Sequence, residues 1–379
     1  MKYWRGFLTA AIIALVSWAL ISFASAHSTL IDMVYPYVTR MLQTSLAEWT
    51  GGASFVLWQV LLCVLIAGVL ASGILMVLLK WNPLQWFGWV LTAISILFFI
   101  HTAVYGLNQY AGSVAGDIRM DVTEYTLEEM EQATTYFRDK ANELADQTGQ
   151  SADFDALANQ AGEGFDALVY DYSYSIYAGS TVPVKKLGWA GSYKASGTTG
   201  VTVALTGESA VNPLTPDAAL PFAICHEMAH RMCIAVDSDA DFSAFLACQA
   251  NSDPHFQYSG YLMAYRICLD ALKSINSPAS QEAVGRITAG ENATVSKDLT
   301  AYEKFAGKDR QTPVRVAGLA DENARETGCD LLVSWYIQEF ILPTQVEQDS
   351  RFDPYDETQV DLTGIVNAPS GATNATGGQ

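Results

Sequence analysis

Three stretches near the start of the chain are apolar almost without a break, and the remainder mixes polar and apolar positions at helical spacing. "GFLTAAIIALVSWALISFASA" covers Gly6 to Ala26, "FVLWQVLLCVLIAGVLASGILMVLL" covers Phe55 to Leu79, and "PLQWFGWVLTAISILFFIHTAVYGL" covers Pro83 to Leu107. Each holds the roughly 20 apolar residues that a helix needs to cross hydrocarbon. The first ends in "ASA", which also suits a signal-peptide cleavage site, but its apolar run is long for a signal core and two further spans come after it. It is expected to stay as a membrane helix.

Downstream, Met130, Ala133, Phe137, Ala141 and Leu144 recur at the spacing of one helix face, and Thr126 and Glu129 have the spacing of a capping box. "DFDALANQAGEGFDALVYDY" reads as a second helical piece. From about 176 to 213 the chain turns rich in Gly, Ser, Thr and Val, with alternating runs such as "GVTVALTG", so short strands and turns are expected there. Thr215-Pro216 and Pro221 then mark the start of a helix expected to reach about Val236. "DSDADFSAFLACQAN" and "YSGYLMAYRICLDALKSI" predict two more. "CDLLVSWYIQEFILP" is too short and interrupted for a fourth span and predicts a buried helix. The polar end predicts a flexible tail. The fold expected is mainly α. It comprises a membrane domain over 1–110 with spans near 6–26, 55–79 and 83–107, a mostly helical soluble domain with a small sheet over 111–346, and a tail over 347–379.

Charge supports that division. Residues 1–116 carry Lys2, Arg5, Arg40 and Lys80 against Asp32 and Glu48, leaving 17 basic and 38 acidic residues for the rest, a net of −21. Nucleic acid is excluded as a partner, because phosphate contacts need clustered Lys and Arg; the lipid bilayer is the partner implied. Lys2 and Arg5 before the first span and Lys80 between the second and third place those ends in the cytoplasm, so the segment His27–Ala53 and everything after about residue 108 are expected outside. The six cysteines form no CxxC pair, and neither a disulfide framework nor a cysteine metal site is indicated.

The chemistry is concentrated in "ICHEMAHRM", Ile224 to Met232. On a helix, His226 and His230 share a face one turn apart and can offer imidazole nitrogens to one zinc ion. Glu227 points about 100° away, where its carboxylate reaches a water at the metal and not the metal itself. That is the arrangement of a metal-assisted hydrolase with a glutamate base. An intramembrane site is excluded, since Asp217, Arg231 and Asp237 bracket the helix too closely. A third ligand is required. A histidine six residues after the second is absent, Val236 standing there, whereas "DSDADF" offers Asp237, Asp239 and Asp241. Tyr258 and Tyr261 are candidates for a hydrogen bond to a developing oxyanion, against the plainer reading that both pack in the core. Glu208 and Asn212 in "GESAVN" are candidates for lining the cleft.

The segments "GESAVNPLTPDAALPFAICHEMAH", "HEMAHRMCIAVDSDADFSAFLAC" and "FQYSGYLMAY", with "YGLNQY" after the third span, resemble a bacterial membrane-protein family known as domain of unknown function 3810. Its members are similar to zincin metallopeptidases, so the resemblance implies a zincin-like α+β domain. The family pattern "EANFxAFLAC" sets its glutamate against Asp239, which implies Asp239 as the third ligand, with Asp237 or Asp241 able to substitute. The function expected is that of a membrane-anchored zinc metallopeptidase with its domain outside the cell membrane. His226, His230 and Asp239 hold one zinc ion, Glu227 and Tyr258 act on the reacting groups, and the substrate is a peptide or protein at the envelope. Two other readings are a non-catalytic binding or scaffold protein with a structural site, and a zinc hydrolase of another amide.

Overall fold

The computed structural model describes residues 2–148, 153–307, 315–318 and 325–343; the tail expected from 347 lies outside them. The first four helices are α1 (Arg5–Ala26), α2 (Ser28–Gly51), α3 (Leu57–Leu78) and α4 (Pro83–Val104). Of these, α1, α3 and α4 are long and apolar enough to cross a membrane. α1 lies along α4 in the same direction. Near their N-termini they meet at Gly6 and Gly88, where a side chain on Gly6 would collide with the Gly88 backbone, and the Thr92 hydroxyl donates to the Gly6 carbonyl at 2.8 Å. Small residues replace hydrophobic driving force in this way where lipid surrounds the helices. At the far end Ala24, Ile31 and Leu107 form one apolar cluster. α3 returns antiparallel to α4, fastened by Trp86 Nε1 donating to Ser72 Oγ at 3.1 Å, and buries only Gln59. The ends at Ala26, Leu57 and Val104 therefore share one side. The third span stops three residues earlier than its apolar run, because Tyr105 leaves helical geometry and Gly106–Tyr110 form a 3₁₀ turn.

The segment His27–Ala53 is not a loose connection. α2 packs against the body of the protein: Arg40 donates to the carbonyls of Met232 and Ser175 at 3.1 and 3.0 Å, and Gln43 to that of Ala204 at 3.0 Å. Residues 1–336 consequently form one compact unit across the boundary expected at residue 110.

The remaining elements are α5 (Val114–Asp117), α6 (Leu127–Ala145), α7 (Phe154–Gln160), α8 (Gly162–Tyr170), β1 (Lys185–Lys186), α9 (Ala190–Ala195), β2 (Gly200–Val203), β3 (Glu208–Val211), α10 (Leu220–Arg231), α11 (Asp237–Ala250), α12 (Pro254–Ile275), α13 (Pro278–Thr288), α14 (Ala293–Ala306) and α15 (Gly328–Tyr336). α6 has the expected capping box and buries the predicted face. Its Phe137 stacks on Trp335 of α15, with Phe245 of α11 edge-on to both, which closes the helical core. A second unit begins at Ile337, of which the π-helix Ile337–Ile341 is described. The sheet is small, in the order β1-β3-β2, with β1 parallel and β2 antiparallel to β3. Among the described strands β2 is an edge.

The sheet is bolted to the membrane helices. Glu208, fully buried on β3, accepts hydrogen bonds from the Leu57 and Trp58 amides at 2.8 and 2.9 Å, so it caps the N-terminus of α3. A carboxylate there meets the positive end of the helix dipole and satisfies two otherwise unpaired amides. Lys185 neutralises it at 2.6 Å and donates also to the Thr50 and Phe55 carbonyls. Gln59 and Gly188 add a reciprocal pair of hydrogen bonds. Replacing Glu208 by Ala leaves two helix amides unpaired and takes the counter-charge from the half-buried Lys185, which costs about 3 kcal/mol. Thermal unfolding of the detergent-solubilised chain should show a midpoint several degrees lower; an unchanged midpoint would mean that the contact carries no stability.

Candidate metal centre

α10 ends at Arg231, five residues short of the Val236 that its pattern predicts. The cause is a Schellman turn without glycine. Cys233 adopts a left-handed conformation (φ 72), its amide donates to the His230 carbonyl, and the Ile234 amide donates to that of Ala229 at 3.2 Å. A left-handed cysteine costs about 1–2 kcal/mol, and the buried packing of Met232, Cys233 and Ile234 offsets it. The turn is tight enough that α11 starts at Asp237, beside the helix just ended.

Three potential ligands converge there: the ligand atoms of His226, His230 and Asp237 all lie within 4.8 Å of one another. His230 Nε2 stands 3.4 Å from Asp237 Oδ1. Ligand atoms about 2.1 Å from one tetrahedral ion are about 3.4 Å apart, so that spacing suits zinc. The histidines are also held in the correct tautomer. His226 Nδ1 is 2.8 Å from Asp241 Oδ1, and His230 Nδ1 is 2.8 Å from the Ile234 carbonyl oxygen. Both partners accept, so both Nδ1 atoms carry hydrogen and both Nε2 atoms are left for a metal, the usual support of metal-bound histidine. The contact with His230 holds the Asp237 carboxyl below its ordinary value, ready as an anion. Bound to a metal, these three residues would supply two nitrogens and one oxygen.

Glu227 comes directly after the first histidine and is buried, 4% exposed. Thr202 of β2 donates to its Oε2 at 2.6 Å, while Ser209 of β3 donates to its carbonyl at 2.8 Å. A Cβ on Gly200 would fall 2.5 Å from Glu227 Oε1, so only glycine lets the edge strand lie against this carboxylate. The helix and the strand are thus locked together through the one glutamate. Both border an open cleft of about 670 Å³, whose wall includes Gly200–Thr202, His226, Glu227, His230 and Asp237. The wall is completed by Met263 and Arg266 of α12, and by His101, Tyr105 and Gln109 at the end of the third span. Arg266 is ion-paired with Asp270 at 3.2 Å and lies over the Tyr302 ring.

Two expected site residues lie elsewhere. Asp239 does not join the histidines: it accepts from Ser113 at 2.8 Å and pairs with Arg325 at 2.7 Å. At 100° per residue, Asp239 is turned about 200° from Asp237 on α11, whereas Asp241 returns to nearly the same face. Asp237 therefore stands beside the two imidazoles as the candidate third ligand, with Asp241 against His226, and Asp239 ties α11 to the start of α5. Tyr258 is five residues before Met263, on another face of α12, where its hydroxyl donates to Asp298 at 2.8 Å in a separate cavity. Tyr261 packs against Phe245, as the core reading required. Neither Glu208 nor Asn212 lines the cleft; Asn212 donates to the carbonyls of Ala190 and Thr198. Asp241 is among the acids that "DSDADF" offers, whereas Thr202, Gly200 and the residues from the third span carry no sequence signal that links them to the histidines.

Burial opposes a proton on His226, but its bond to Asp241, with Glu227 and Asp237 nearby, outweighs burial and lifts its pKa to about 9. Without metal this ring is charged at neutral pH, and a metal must displace the proton. Zinc affinity should rise about tenfold per pH unit from pH 6.5 to 8.5, read by competition with a chromophoric chelator; a flat profile would contradict the assignment. Asp237→Ala should lower the affinity at least tenfold and Asp241→Asn by about 10–100-fold, while Asp239→Ala keeps the zinc and loses stability. Loss of zinc in Asp239→Ala with retention in Asp237→Ala would reverse the ligand assignment.

No curated protein and no solved structure matches the chain. A family model does, that of the protein of unknown function DUF3810, over residues 31–319, which takes in most of α2, the cleft and the sheet. The chain belongs to the DUF3810 family.

Proposed function

We propose that the chain is a membrane-anchored zinc-dependent peptidase. The observation that carries this reading is the pairing of an open three-ligand set, His226, His230 and Asp237, with a buried glutamate fixed beside it by an edge strand. Zinc held there supplies Lewis acidity, polarising a carbonyl and making water acidic near neutral pH. Glu227 takes the proton from the attacking water at Oε1, the oxygen that Thr202 does not occupy, and returns it to the leaving amine. Thr202 keeps the carboxylate pointed into the cleft. The edge of β2 offers backbone groups along which an extended peptide adds as a further strand, and this favours a peptide over other amides. The basic residues Lys2, Arg5 and Lys80 at the opposite ends of the spans support an extracytoplasmic cleft.

A structural metal site has no use for Glu227, and this separates the peptidase from a non-catalytic binding protein. With the zinc-loaded chain and a peptide mixture read by mass spectrometry, Glu227→Gln should retain one zinc per chain and lose about 10²–10⁴-fold in hydrolysis. Gly200→Ala and Thr202→Val, which shift the carboxylate without touching a ligand, should lower kcat with little change in zinc content. Equal activity in the wild type and Glu227→Gln would remove Glu227 from the chemistry.

A further inference from the structure

The cleft is fixed at the end of the membrane helices with no linker between. His101 lines it from within the last turn of α4, and Tyr105 and Gln109 continue the same wall. The Tyr105 hydroxyl donates to the His230 carbonyl at 2.9 Å, so the end of the third span touches the helix that carries both histidines. The opposite wall is held equally closely. β2 pairs with β3, and Glu208 of β3 caps the first turn of α3, which starts on the side where α4 ends. The two walls of the cleft are thus tied to the spans, the helix through Tyr105 at the end of α4 and the strand β2 through its neighbour β3. These contacts hold the cleft at the end of the apolar helices α3 and α4.

Heights are set by these contacts. At 1.5 Å per residue, His101 lies about 4.5 Å along the axis inside the end of α4. The interfacial layer of one leaflet is about 5–7 Å thick, which an extended chain crosses in about two residues at about 3.3 Å each. A peptide that leaves the hydrocarbon beside α4 is in the cleft at once, whereas a peptide from bulk solution must enter the headgroup layer beneath a strongly acidic domain. We infer that the cleft takes its substrate from the bilayer: its occupant is an extended peptide segment directly attached to a membrane anchor in the same leaflet. This rests on the peptidase reading and adds the substrate class to it.

The test uses the full chain, zinc-loaded, in phosphatidylcholine vesicles. The probes are three peptide pools that share one randomised twelve-residue segment. In the first pool it directly adjoins a polyleucine transmembrane helix, in the second a thirty-residue Gly/Ser spacer intervenes, and in the third the helix is absent. The second pool keeps the peptide on the membrane and removes only the height constraint. Cut positions and rates are read by mass spectrometry, with Glu227→Gln as the blank. The expected result is cleavage within about ten residues of the anchor, at least tenfold faster in the first pool than in the other two. Equal rates in the first and second pools, or cleavage of the untethered pool as fast as either, would overturn the inference and leave the peptidase intact. No cleavage of any pool by a chain that holds zinc would retire the peptidase reading itself.

Discussion

Two helices that bring a histidine pair and a carboxylate within 4.8 Å of one another must be joined by a link that reverses direction within a few residues. Here that link is Met232–Val236, and the left-handed Cys233 makes it possible. The same turn performs three tasks. It ends α10 directly after His230, it aims the Ile234 carbonyl at His230 Nδ1, and it sets the first residue of α11 next to His230 Nε2. Had α10 run on to Val236, Asp237 would lie more than a turn beyond His230, and no carboxylate of "DSDADF" would reach the pair. Once Asp237 is placed, helical periodicity decides the rest: Asp241 comes round to His226 and Asp239 turns away to Arg325.

The second dependence runs from the sheet to the membrane. Buried charge is costly unless paired and hydrogen-bonded, and Glu208 meets that condition by accepting from two helix amides and one lysine. Its carboxylate is a structural joint between β3 and α3. Through β3 and β2 the joint leads to Thr202, and so to Glu227. The site is therefore assembled from four sources: a helix pair, an edge strand, the end of a span and the cap of another. This arrangement explains why residues 1–336 form one unit although a membrane part and a polar part are plain in their composition.

Much of this is legible along the chain. The three spans, the capped amphipathic helix at Leu127–Ala145, the strand in "GVTV" and the histidine pair all arise from local patterns that need no knowledge of tertiary contacts. The stop of α10 does not, because a left-handed C-terminal residue announces itself as glycine and here it is cysteine. The carboxylate beside the histidines escapes for a related reason: resemblance points to Asp239, but which acid faces them depends on where α11 begins. Tyr258 falls to the same uncertainty of helix phase. Glu208 and Thr202 act across more than 20 residues of sequence, and nothing in their neighbourhoods marks the partner.

The measurement that bears most directly on this account is zinc K-edge X-ray absorption of the zinc-loaded full chain in detergent. Two imidazoles, one carboxylate oxygen and one further light ligand at about 2.0–2.1 Å, with no sulfur, are predicted. A sulfur shell near 2.3 Å, or a single imidazole, would contradict the His226–His230–Asp237 centre on which the rest is built.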